Sequence, residues 1–294
     1  MTPEQYAKKL SNNISLISED FADGMKAVQR GIYGNALKLV KNLEINSQGY
    51  IIPNAKNIKA LKVINTSIEN ELISSGYKNN VDKFVSSFTD IKNVSDGYFY
   101  TLVGRSFVPD DKLYEYILKS SIDATAEKML GAGIQEALID PIKENIRQGI
   151  TGSSKYEDMV ESLSTFIKGD ESLGAMERYA GGITTDSLNM FAAEYSQGVT
   201  NDLGFEYFYY QGALMNSSRP FCRDHAGGYY SKEEVENFGN GIGVYGDPID
   251  TTGFIEGTNS SNIMINRGGY NCGHHFIPVG EEEVPADVIE RNKA

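Results

Sequence analysis

The chain has 294 residues, 40% hydrophobic and 23% charged, the make-up of a globular protein large enough for one large domain or two ordinary ones. A net charge of -13 and a pI near 4.8 argue against sequence-independent wrapping of nucleic acid, which needs clustered Lys and Arg. No apolar run reaches the length of about 18 residues that a membrane-spanning helix needs.

The start, Met1-Thr2-Pro3-Glu4-Gln5, lacks a basic segment followed by an apolar one, so folding in a cytoplasm is expected. Thr2 and Pro3 predict a helix start, with Thr2 as N-cap and Pro3 at the first helical position. Phe21, Met25, Val28 and Ile32 recur at helical spacing. Leu37, Val40 and Leu43 repeat the pattern, as do Ile58, Leu61 and Ile64, then Val81, Phe84, Val85 and Phe88. Turn-like stretches at 46–49 and 74–76 separate them. A long helical stretch follows from Asp110-Asp111 to Gln148, interrupted at Gly131-Ala132-Gly133 and kinked or restarted at Pro141, with Gly149 as its C-cap. Further helices are expected over 154–168, 171–180 and 184–203. Leu188, Phe191, Ala192, Tyr195 and Val199 line the last, and Gly204 ends it.

The texture changes near 205. Phe205-Glu206-Tyr207-Phe208-Tyr209-Tyr210 reads as a strand. Ser231-Lys232-Glu233-Glu234 reads as a capping box, opening a helix with Val235 and Phe238 inward. The Gly-, Asn-, Ser- and Thr-rich stretch 239–269 reads as a surface loop, and Phe276-Ile277-Pro278-Val279 as a closing strand. Glu281-Glu282-Glu283 reads as a solvated run before a frayed tail. The fold class expected is mainly α: a helical region over 1–204, with a sub-boundary near 105, then a small α+β module over 205–280 and an acidic tail over 281–294.

Every cysteine and histidine lies in that module: Cys222 and His225, then Cys272, His274 and His275. Zinc takes four N or S ligands, which Cys222-x2-His225 with Cys272-x-His274 would supply; His275 is the alternate ligand. A Cys222–Cys272 disulfide or plain thiol packing is the rival reading, and a cytosol disfavours the disulfide. A catalytic alternative uses His274 or His275 as general acid or base, with Arg219 or Arg223 holding an anion. A Cys222 nucleophile lacks the local signature of any cysteine hydrolase. The bland reading of Arg219 is a structural arginine on backbone carbonyls or on Asp224.

In combination, Tyr209-Tyr210-Gln211-Gly212, Ser217-Ser218-Arg219-Pro220-Phe221-Cys222, Gly227-Gly228-Tyr229-Tyr230-Ser231 and Gly268-Gly269-Tyr270-Asn271-Cys272-Gly273-His274 resemble a known family. It is the tailed-phage minor head proteins, the head-morphogenesis proteins related to protein F of phage Mu and its relatives in Gram-positive phages. The resemblance covers roughly 175–280. It departs from the family at Gly228, where Lys is usual, and at Gly273, where Arg is usual; both departures weaken a nuclease-like role. The resemblance implies a virion component made in a bacterial host. Such a protein meets the portal or the major capsid protein, with or without homo-oligomers, and acts in head assembly, packaging or ejection without being an enzyme. The rival is a nuclease- or toxin-like domain on a helical carrier.

Overall fold

The computed structural model describes residues 1–109, 112–170 and 173–293. It is mainly α, with one small three-stranded antiparallel sheet near the C-terminus. Two compact units form, each from separate stretches of chain. One takes Met1–Leu16, Ser87–Ile122 and Thr185–Ala294; the other takes Ile17–Ser86 and Asp123–Thr184. Thus the segment 205–280 shares its unit with the chain's first residues and with 87–122.

Helix α1 (Pro3–Val40) opens as the sequence predicts: the Gln5 amide donates to Thr2 Oγ1 while the Thr2 amide donates to Gln5 Oε1. In the second unit, the later part of α1 buries Phe21, Met25, Val28 and Ile32, and Phe21 meets Phe84 of α3 (Tyr77–Ser86) at 5.2 Å. On α2 (Ala55–Ser74) the buried positions are Asn57, Ile64 and Ile68; Ile58, expected on the inner face, is 53% exposed. Asn57 is turned inward because its side chain satisfies the Glu44 amide and the Glu44 and Ile52 carbonyls.

Helix α5 (Lys112–Leu130) stops at the expected Gly131, and the predicted start at Asp110-Asp111 lies outside the described residues. A short α6 (Ala132–Ile134) and a π-helical turn (Gln135–Ile139) lead into α7 (Asp140–Thr151), which Pro141 restarts at its first turn. Gly149 is not the cap. The helix runs past it to Gly152, and a Cβ at 149 would sit 2.6 Å from Met159 Sδ of α8 (Tyr156–Lys168), so Gly149 is there for close packing. The two helices expected over 171–180 and 184–203 are one, α9 (Ala175–Leu203); residues 171 and 172 lie outside the described residues. Two adjacent glycines, Gly181 and Gly182, do not break it, because the next positions, Ile183 and Thr184, are buried.

In the first unit, α4 (Phe88–Val103) packs Phe88 on Phe191 of α9 at 5.1 Å. Strand β1 (Tyr207–Gln211) lies between β2 (Tyr229–Ser231) and β3 (His275–Val279). Alternation along β1 sends Phe208 and Tyr210 into a core with Phe221, Cys222, Phe238, Cys272 and Phe276. Tyr207 and Tyr209 go to the other face, with Val279, Val284 and Val288. On that side Tyr6 stacks on Tyr98 at 4.4 Å, and the Tyr98 hydroxyl donates to the Pro278 carbonyl at 2.7 Å.

The capping box forms as predicted on α11 (Lys232–Gly239), after the short α10 (Pro220–His225). The stretch 239–269 is not all surface: α12 (Ile263–Asn266) buries Ile263 and Met264 in the module core. Nor is the tail frayed. Helix α13 (Ala286–Arg291) buries Val288 and pairs Arg291 with Glu234 at 2.6 Å.

Removing the Tyr98 hydroxyl strands a buried carbonyl. Tyr98→Phe is expected to cost about 1–3 kcal/mol, read as a lower urea midpoint with an unchanged slope.

Candidate metal centre

Three of the five sequence-flagged side chains converge. Cys222 on α10, Cys272 in the turn before β3, and His274 at the foot of β3 have ligand atoms within 4.8 Å of one another, all buried. Cys222 Sγ lies 3.6 Å from Cys272 Sγ, and Cys272 Sγ lies 3.8 Å from His274 Nδ1. Both thiols are free, so at this distance they are neighbours and not a disulfide. Two sulfurs and an imidazole form a set that can hold a metal ion.

His225 does not join them. It stacks on Phe221 at 4.4 Å, meets Phe238 edge-on at 4.5 Å, and its Nδ1 lies 2.9 Å from the Phe221 carbonyl. His275, the alternate ligand, points the other way, as adjacent strand residues must, with Nε2 3.0 Å from Asn189 Oδ1 on α9. Burial, and then the Arg267 guanidinium, push its pKa down to about 3, so the ring is neutral and Nε2–H donates to Asn189. Arg219 takes a structural role: Nη2 donates to the Tyr270 carbonyl at 2.6 Å. Arg223 donates to the Ser218 carbonyl.

Two further residues complete the surroundings. Tyr210, fully buried, puts its hydroxyl 3.5 Å from Cys222 Sγ and 3.9 Å from Cys272 Sγ. Burial, and then the two cysteines, push that hydroxyl well above the ordinary phenol range. Arg267, 1% exposed, donates Nη1 to the Asn189 carbonyl at 2.6 Å, while its Nε has no partner. Its backbone φ of 51° is rare for a side chain of this size. The contact with Cys222, then His274 and the Arg267 charge, hold the Cys272 thiol well below the usual cysteine range. The same contact, with burial, pushes Cys222 up. Tyr210 announced itself only as a strand residue within Tyr209-Tyr210-Gln211-Gly212. Arg267 had no sequence signal beyond the glycines that follow it.

The glycines of the motif make room. A Cβ on Gly212 would lie 2.6 Å from His274 Cγ, and one on Gly268 only 2.4 Å from Cys222 Sγ and 3.2 Å from Cys272 Sγ. A Cβ on Gly228 would strike the Tyr230 hydroxyl at 2.2 Å, so a lysine does not fit there without moving Tyr230. At Gly273 the same construction meets open space.

Comparison with protein-family models, with curated proteins and with solved structures finds no match to this chain.

Gly268→Ala is expected to drive the two thiols apart and lower the thermal midpoint by several degrees, whereas Gly273→Ala leaves it within about 1 °C. Differential scanning fluorimetry of both variants checks the contrast.

The His275 shift also sets a pH dependence. Unfolded histidine titrates near 6.5 and folded His275 near 3, so between these values the unfolded chain holds the extra proton. This contribution is whole above about pH 6.5 and is lost as pH falls toward 3, by up to about 1.4 kcal/mol per unit. Urea midpoints taken with chelator present should fall between about pH 7 and about pH 5, and fall less in His275→Asn.

Proposed function

We propose that the chain is a tailed-phage minor head protein, and that its C-terminal module is a non-catalytic structural piece stapled by zinc through Cys222, Cys272 and His274. The observation that carries this reading is the burial of the motif. The candidate ligands of the motif lie in a core closed to solvent, with Cys222 at 2% exposure, Cys272 at 3% and His274 at 4%. A catalytic zinc keeps an open coordination position for water or substrate, and a structural one is closed.

Zinc suits the donor set. It is borderline-soft, has no redox chemistry, and accepts thiolate with imidazole, whereas Mg²⁺ and Ca²⁺ want oxygen. The staple also suits the module's size. Cys222 and Cys272 are far apart in sequence, and tying them together removes chain entropy that a small core cannot easily offset. The charge of -13 favours a protein neighbour, the portal or the major capsid protein, over DNA as the surface met in the head.

Metal analysis of the untagged protein is expected to give about one equivalent of zinc, lost in Cys272→Ser. Less than about one-tenth of an equivalent, with both thiols reacting freely, overturns the staple. For the head assignment, mass spectrometry of purified particles from the producing cells should find the chain in the virion, and its absence overturns that assignment. Metal-dependent nuclease activity lost in His274→Ala would overturn the non-enzyme reading.

A further inference from the structure

We propose that the Tyr210 hydroxyl is the fourth ligand of the metal centre, which is then a Cys222–Cys272–His274–Tyr210 site with no place for water. This deepens the zinc reading above and rests on it.

The distances carry the inference. With metal–sulfur bonds of about 2.3 Å and metal–nitrogen or metal–oxygen bonds of about 2.0–2.1 Å, a tetrahedral ion holds its ligand atoms roughly 3.5–3.8 Å apart. The edges found here are 3.6 Å for Cys222 to Cys272, 3.8 Å for Cys272 to His274, and 3.5 and 3.9 Å from Tyr210 Oη to the two sulfurs. Tyr210 therefore stands at a tetrahedral corner with respect to both thiols. A thiol is a weak hydrogen-bond partner, and these contacts are long for a buried hydroxyl that must be satisfied. The imidazole is in a like state: Nδ1 has only the distant Cys272 sulfur, and Nε2 has no partner. Two buried polar side chains with poor partners face the same pair of sulfurs. Gly268 keeps the space beside the thiols clear, since any Cβ there would press on both.

Charge points the same way. Zn²⁺ with two thiolates and a neutral imidazole sums to zero, and a phenolate at the fourth corner brings the centre to -1. A buried net charge needs a partner. Arg267, fully buried close to Cys272, supplies one positive charge beside the site.

The test uses the full-length chain, stripped of metal and reloaded without oxygen. Zinc addition to the wild type should produce the near-ultraviolet difference spectrum of tyrosinate, with one tyrosine ionised per zinc bound. Cobalt should give the thiolate charge-transfer band and the intense visible bands of a four-coordinate ion. In Tyr210→Phe the charge-transfer band should persist while the visible bands change and affinity falls by about tenfold or more. Tyr209→Phe, on the opposite face of β1, should match the wild type. If the wild type takes up neither metal, the zinc reading itself falls. If metal binds through the thiols but no tyrosinate appears, the fourth-ligand assignment alone is overturned, whether or not Tyr210→Phe folds. An unchanged cobalt spectrum in Tyr210→Phe overturns it equally.

Discussion

The turn that carries the metal-site residues is built around a buried cation. Arg267 has lost almost all contact with water, and an unpaired guanidinium there would cost several kcal/mol. Three things make it tolerable: the Asn189 carbonyl on α9, the nearby Cys272 thiol, and a backbone held at φ 51° that aims the side chain inward. Asn189 answers twice, since its side chain also receives His275. Asp186, one helical turn earlier, accepts the Asn271 amide. One face of α9 thus fixes the turn 267–275, and that turn carries Cys272 and His274 to the thiol on α10.

This order of dependence explains the electrostatics. The Cys272 thiol is held low first by its contact with Cys222, then by His274 and the Arg267 charge, and Cys222 is held high by the same contact and by burial. His275, one residue from the cluster, is kept neutral by burial and then by the same guanidinium.

Much of the helical framework was legible because amphipathic spacing is a local property. Phe21, Met25, Val28 and Ile32 are buried as their periodicity requires. Ile58 misled, because Asn57 can satisfy three backbone groups from inside and Ile58 cannot. Gly149 misled for the opposite reason: a glycine that makes room for Met159 looks in sequence like one that ends a helix. The candidate site was legible as a set of residue types and not as a geometry. Cys222, Cys272 and His274 were named with His225, but spacing alone could not show that α10 turns His225 onto Phe221. Arg267 was invisible because its meaning comes from Asn189, 78 residues away.

The bond that fastens Tyr98 to Pro278 reaches beyond the sheet it supports. β3 is an outer strand, and outer strands offer free amide and carbonyl groups to any extended segment that passes. At Pro278 the amide hydrogen does not exist, and the carbonyl turned away from β1 is already taken by a tyrosine. The rung at which a foreign strand would begin to zip is missing on both counts. With every residue of β3 buried as well, that edge is closed to strand addition at Pro278.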